Sequence, residues 1–289
     1  MRALLTGGRG LVGTPLAARL AASGHAVHVA DLPETDVTDA ASVAAAFDAA
    51  RPDVVVHLAA WTDVDGCEGD PERAEHVNAE GARLVAAAAA ARGARVLYVS
   101  TDYVFDGRAA EPYVEEHPTA PLSAYGRSKL HGELAVRELV PAAWIVRCQS
   151  IYGRGKKSFA DAILARARAG EPVRVVTDQV VSPSYAEDVA DALAAVLRAA
   201  PPGTYHVANA GHCSWHEFAC AVLAESGLGH VPVAPILAAE LARPAPRPAN
   251  SRFSCERLRA ATGHVLRPWR EALRAYLHER ARVVSGGAS

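Results

Sequence analysis

The sequence predicts an α/β protein, a doubly wound parallel sheet with a smaller C-terminal lobe. Three observations carry that expectation. Short apolar runs alternate with longer Ala-rich amphipathic runs through the first half of the chain, the rhythm of repeated βαβ units. A glycine-rich turn follows the first apolar run at once. After Tyr152 the rhythm loosens into shorter pieces broken by Pro at 172, 183, 201, 202, 232, 235, 244, 246 and 248, which suggests a lobe built on the far end of the sheet.

The strand candidates are Arg2 to Thr6, His25 to Ala30, Asp53 to Leu58, Arg95 to Ser100 and Trp144 to Gln149, each bounded by Gly, Pro or polar residues. Helix candidates start near Leu11, Ala40, Pro71 and Ser123. The run Ala86 to Ala91 is low in complexity, but Ala is the best helix former, so it reads as a tightly packed helix. The expected organisation is a first domain over 1–152, a lobe over 153–284 interleaved with the sheet, and a frayed tail over 285–289.

Half of the 289 residues are hydrophobic and 21% are charged, as in a globular protein. Thirty Lys and Arg against 32 Asp and Glu give a net charge of -2, which offers no counterion-release drive toward nucleic acid and none toward an anionic bilayer. Any nucleotide partner is therefore expected to be a small molecule. The five cysteines, Cys67, Cys148, Cys213, Cys220 and Cys255, include no C-x-x-C pair, so neither a disulfide framework nor a zinc ribbon is indicated. The apolar start breaks at Gly7 and no stretch approaches a membrane span. The expected location is the cytoplasm.

Directly after the first strand comes Thr6-Gly7-Gly8-Arg9-Gly10-Leu11-Val12-Gly13, a G-x-x-G-x-x-G spacing that opens a helix. The first glycine permits the turn, the second lets a pyrophosphate approach main-chain N–H groups, and the third allows tight helix packing. Asp31 ends the second strand, where its carboxylate can accept bonds from an adenosine ribose. Together these predict a dinucleotide site of Rossmann type, with a tight turn as the plain alternative. Asp31 repels a 2′-phosphate and no Arg or Lys follows in Leu32 to Thr35, while Arg9 argues the other way. The expected cofactor is NAD(P)H, with NADH slightly favoured. Asp36 and Val37 form the next loop, where Asp36 can meet the adenine amino group or cap the helix near Ala40. Gly7, Gly10, Leu11 and Val12 complete the cofactor surface read from the first two loops.

Tyr125 and Lys129 stand four apart at the start of a helical segment, on one face of one turn. A buried cation beside a phenol lowers the tyrosine pKa from about 10 and lets it give or take a proton at a carbonyl. The pair follows a strand ending Val99-Ser100-Thr101, and the carboxyl end of such a strand is where an open α/β sheet binds its ligand.

Leu58-Ala59-Ala60, the run from His76 to Gly81, the run from Ser100 to Gly107 and the run from Tyr125 to Lys129 resemble the extended short-chain dehydrogenase/reductases. Within them, STDYVFDG with YGRSKLHGE is similar to the dTDP-4-dehydrorhamnose reductase family, and later segments agree: Arg147 to Gly153, Thr177 to Pro183, Gly203 to Ala208 and Arg247 to Ser251. The resemblance implies a Rossmann domain, a nucleotide-sugar lobe and a Thr101, Tyr125, Lys129 triad that reduces a nucleotide-linked 4-keto-6-deoxyhexose. It adds Leu58, Ala59, Ala60, Tyr125 and Lys129 to the cofactor surface, and Thr101, Asp102, Tyr103, Ser150, Arg247 and Asn250 to the sugar side. Asn78 reads as a tie from helix to strand. The chain departs from the family at Arg147-Cys148-Gln149-Ser150-Ile151-Tyr152, where Ser150 stands in place of a Trp.

A dehydratase of the same superfamily would carry Asp-Glu after the threonine, whereas Tyr103 follows Asp102. An epimerase uses the same triad and stays an alternative, as does a non-catalytic role like that of the regulatory subunit of methionine adenosyltransferase. His212 and His216 are four apart with Glu217 beside them, but the segment reads as a capped helix start, so no metal is expected. The expected partner is a nucleotide-linked deoxysugar, with homodimer formation left open.

Overall fold

Strands buried on both faces must be apolar throughout, and helices must cover both faces. In the computed structural model, which describes residues 1–155 and 158–286, the first half of the chain meets both demands. It runs β1 (Arg2–Thr6), α1 (Gly13–Ala22), β2 (Ala26–Ala30), α2 (Ala40–Ala50), β3 (Val54–His57), α3 (Val64–Gly69), α4 (Pro71–Ala74), a π-helical turn (Glu75–Glu80), α5 (Gly81–Ala91), β4 (Arg95–Thr101), α6 (Ala124–Leu139) and β5 (Trp144–Cys148). The second half continues with β6 (Ile151–Tyr152), α7 (Phe159–Arg168), β7 (Val173–Val176), β8 (Val180–Val181), β9 (Ser184–Tyr185), α8 (Ala186–Ala199) and β10 (Gly203–Val207). It ends with β11 (Cys213–Ser214), α9 (Trp215–Glu225), β12 (Val233–Ile236), α10 (Glu256–Thr262) and α11 (Trp269–Gly286).

The main sheet is parallel with strand order β10-β5-β4-β3-β1-β2. Alternation along each strand divides its side chains between two cores. Leu5, Val54, Val56, Leu97 and Val146 face α1 and α8, whereas Leu4, Val55, Val96, Tyr98 and Ile145 face α2, α5 and α6. The Ala86–Ala91 run ends α5, with Ala86 and Ala89 fully buried there. The sheet takes its sixth strand, β10, from beyond residue 152. The second lobe has its own core of Ile163, Leu164, Val175, Phe218, Trp269, Leu273 and Tyr276 around Tyr152 and Tyr185.

Strand ends shift by at most one residue from the sequence reading, and the helix near Leu11 starts at Gly13. The helix near Pro71 is preceded by α3 and passes through the π-helical turn into α5. The expected tail falls partly on the end of α11, and residues 287–289 lie outside the described ones. Among the described residues no helix is long and apolar enough to cross a membrane.

Candidate functional site

Gly7 opens the loop at φ +69°, a left-handed conformation that favours glycine. A Cβ there would stand 2.6 Å from the Ala59 nitrogen, and one on Gly13 would stand 2.5 Å from the Gly7 carbonyl oxygen. The loop is thus pressed between β3's exit, Leu58-Ala59-Ala60, and the start of α1, where Val12 occupies the N-cap position beside Leu11. Gly10 N–H closes the turn onto the Gly7 carbonyl at 3.0 Å. This bare cradle at a helix start, with an acid at its rim, fits a dinucleotide pyrophosphate.

The rim acid is Asp31, which accepts hydrogen bonds from the Arg9 backbone N–H (3.0 Å) and the Leu32 N–H (3.1 Å). The Arg9 guanidinium turns away to Glu34 (2.7 Å) and the Leu32 carbonyl (3.2 Å). Glu34 holds Arg9 above its usual pKa, and Arg9 holds Glu34 below its own. Asp36 accepts from the Thr38 N–H and hydroxyl at 2.9 and 2.7 Å, which lowers its pKa. Asp39, not Asp36, caps α2, by accepting from the Ala41 N–H. Val37 is buried under Gly81.

The catalytic helix starts where Ser123 caps it, its hydroxyl accepting from the Gly126 N–H. Glycine at 126 and 132 lets α6 lie directly on the Tyr103 carbonyl and the Tyr98 hydroxyl. Tyr125 and Lys129 are thereby buried beside Thr101, the last residue of β4. Lys129 Nζ donates to the Val99 carbonyl at 2.9 Å and lies 4.1 Å over the Tyr98 ring. Burial pushes Lys129 down to about 7, with Glu133 opposing. Burial pushes the Tyr125 phenol up, and its hydrogen bond with the Thr101 side chain pulls it partly back.

That direction corrects the expectation that Lys129 lowers the phenol. The ammonium is spent on a carbonyl, and burial disfavours phenolate more than any cation nearby supports it. The consequence suits reduction: Tyr125 stays a phenol, with a proton to give.

Asn78 ties its helix to the segment after β3 instead of to a strand. It accepts from the Trp61 N–H (2.8 Å) and donates to the Trp61 carbonyl (3.1 Å) and the Ser128 hydroxyl (3.0 Å). The predicted capped start of α9 is present, with Ser214 and Glu217 bonding each other's backbone N–H groups.

On the sugar side, Tyr103 packs edge-on against Tyr125 at 5.4 Å and borders a cavity of about 130 Å³ with Phe159, Arg174, Trp215, Arg243 and Arg247. Arg247 is there, but Asp65 on α3 already grips both its arms at 3.0 and 2.7 Å. Ser150 adopts φ +46° at the exit of β5, and its carbonyl accepts from the Ser184 N–H. Two predicted contacts are otherwise engaged. Asn250 is buried, donating to the Ala109 and Glu111 carbonyls and accepting from Arg252. Asp102 spends both oxygens on the Thr101 and Ser251 hydroxyls. The sequence reading passed over Phe159, Arg174, Trp215 and Arg243, since no spacing links residues that only lobe assembly brings together.

A protonated phenol beside a buried amine, at a strand end opening toward a phosphate cradle, is equipment for passing a hydride and a proton between a nicotinamide and a carbonyl. In class, the protein is an NAD(P)-dependent oxidoreductase of the short-chain dehydrogenase/reductase type. Comparison with known proteins narrows this. The family model described as the RmlD substrate binding domain matches residues 1–282, and the chain belongs to that family. The spore coat polysaccharide biosynthesis protein SpsK of Bacillus subtilis is 39% identical over 280 residues, covering 97% of this chain and 98% of that protein. The crystal structure of a dTDP-4-dehydrorhamnose reductase from Clostridium acetobutylicum superposes with a TM-score of 0.93 at 36% identity, covering 97% of this chain and 100% of that one. A dTDP-4-dehydrorhamnose reductase from Bacillus anthracis, solved with NADP, gives 0.91 at 35% identity, covering 96% and 99%.

Proposed function

We propose that this protein reduces the 4-keto group of a nucleotide-linked 4-keto-6-deoxyhexose. The observation that carries the reading is the buried Tyr125 phenol, held protonated by its burial, one helical turn from Lys129 on α6. A bound nicotinamide supplies the hydride to the carbonyl carbon. As charge develops on the carbonyl oxygen, Tyr125 gives it a proton, and the Thr101 hydroxyl can add a hydrogen bond once its own proton turns from Asp102. Lys129, one helical turn further along α6 and anchored on the Val99 carbonyl, is assigned to hold the nicotinamide ribose. Gly7, Gly10, Leu11, Val12 and Ala59 cradle the pyrophosphate.

Asp31 faces the adenosine ribose, and Glu34 keeps Arg9 occupied. Both disfavour a 2′-phosphate, so NADH serves at least as well as NADPH. Arg243 and Arg247 flank the path of the sugar diphosphate, with Phe159 and Trp215 as apolar walls for the base. Similarity to reductases of dTDP-4-dehydrorhamnose over nearly the whole chain supports a dTDP-linked sugar. Ser150, in the place of a bulky Trp, leaves room for a differently substituted ring.

The test is incubation of purified protein with NADH or NADPH and a panel of dTDP-linked 4-keto-6-deoxysugars, with product stereochemistry read by NMR. Net cofactor oxidation with a new 4-hydroxyl is expected. An epimerised product with no net oxidation would replace this reading with an epimerase.

A further inference from the structure

Asp102 opens the turn after β4 and is almost fully buried. Its Oδ1 accepts from the Thr101 hydroxyl at 3.0 Å and its Oδ2 accepts from the Ser251 hydroxyl at 2.5 Å. Thr101 and Ser251 are as deeply buried. Ser251 belongs to a segment that returns from the second lobe: its N–H donates to the Val180 carbonyl (2.9 Å), and the Asn250 N–H donates to the Gly107 carbonyl (3.0 Å). The Thr101 oxygen also accepts from the Tyr103 N–H at 3.2 Å.

A hydroxyl has one proton, and a carboxylate only accepts. While Asp102 is ionised, it claims the Thr101 proton, so Thr101 can only accept on its catalytic side. A neutral Asp102 donates to Thr101 instead, and the Thr101 proton then turns toward the reacting oxygen. We infer that Asp102, gripped by Ser251 from the second lobe, is a positioning residue that sets the direction in which the catalytic Thr101 hydroxyl donates. This rests on the ketoreductase reading above.

Burial supports it by pushing Asp102 up to about 6 against the hydrogen bonds from Ser251 and Thr101. The groups facing it are Tyr103 on its own turn, Tyr125 on α6 and Cys148 on β5, each pushed up by burial and so uncharged near neutrality. The sign follows. Asp102 becomes neutral as pH falls through about 6, so Thr101 is freed to donate on the acid side. Removing the Ser251 hydroxyl takes a donor from the ionised form and moves the titration to higher pH, by about one pH unit for one charge-assisted hydrogen bond.

The decisive measurement is carbon-13 NMR of protein labelled at the Asp carboxyl carbons, with no nucleotide or sugar added. One resonance, absent from Asp102→Asn, should titrate near pH 6 in the unaltered protein and higher in Ser251→Ala, with circular dichroism confirming that both variants fold. A midpoint in the ordinary Asp range, or one that Ser251→Ala leaves in place, overturns the inference. In turnover of dTDP-4-dehydrorhamnose, the acid-side rise in kcat should move up with Ser251→Ala and vanish in Asp102→Asn, with KM changed by less than about twofold. Unmoved kcat profiles would also overturn it. If the unaltered protein reduces no nucleotide-linked 4-keto sugar, the functional reading fails, while the NMR titration still decides the grip of Ser251 on Asp102.

Discussion

The buried Thr101–Tyr125–Lys129 cluster and the cavity lined by Arg243 and Arg247 meet at Tyr103, yet they are built on opposite plans. Thr101, Tyr125 and Lys129 are buried, and burial suppresses charge on both the phenol and the amine. In the cleft, by contrast, Arg243 and Arg247 keep their charges at a partly open surface lined with aromatic rings. Chemistry here depends on groups whose protonation the fold controls, and recognition depends on charges that an incoming anion can reach. Mutations should therefore split into those that change turnover and those that change affinity.

Tyr125→Phe tests the first half most severely. It should cut kcat by about a hundredfold or more while cofactor binding, measured by calorimetry, persists; near-normal turnover would remove Tyr125 from the chemistry. Lys129→Met crosses the divide, because that side chain stands one helical turn from the phenol and the proposed function gives it the ribose, and it should lower kcat and weaken cofactor binding together, by about tenfold each. A variant losing only one of the two would show that the roles are separable.

In the cleft, Arg247→Ala should raise KM for the nucleotide sugar by about tenfold with kcat nearly unchanged; an equal fall in kcat would erase the contrast. The smallest expected effect lies at the exposed adenosine rim. Glu34→Gln frees Arg9 and should raise the NADPH to NADH ratio of kcat/KM by several-fold, in the range of a surface ion pair. An unchanged ratio would leave Asp31 alone in charge of that preference. Ser150→Trp sharpens the comparison from the sugar side: loss of dTDP-4-dehydrorhamnose turnover on adding the indole would mean that another side chain already supplies the missing wall.

What could be read from the sequence divides along the same line. The sheet, the glycine loop and the Tyr125 to Lys129 spacing are local patterns, and local patterns survive in one dimension. The resemblance places Asp102 on the sugar side, whereas the structure bonds it to Ser251, a partner from the other lobe that no local pattern announces. Asn250 likewise has partners distant in sequence, its amide donating to the carbonyls of residues 109 and 111. The direction of the Tyr125 shift was missed because spacing places a cation near a phenol without saying how dry the site is. Phe159, Trp215 and Arg243 carry no motif and, far apart in sequence, converge only when the second lobe itself folds.

The pairing of Asp65 with Arg247 has a consequence for traffic through the cleft. A carboxylate fixed on α3 and bonded to both arms of Arg247 is a tethered competitor, always present at high local concentration. Any anion that takes up Arg247 has to outbid it, so a stray monoanion gains little there, while a diphosphate that also reaches Arg243 can displace it. On the function proposed above, the same carboxylate would reclaim the arginine as product leaves, trading some affinity for faster clearance of the cleft.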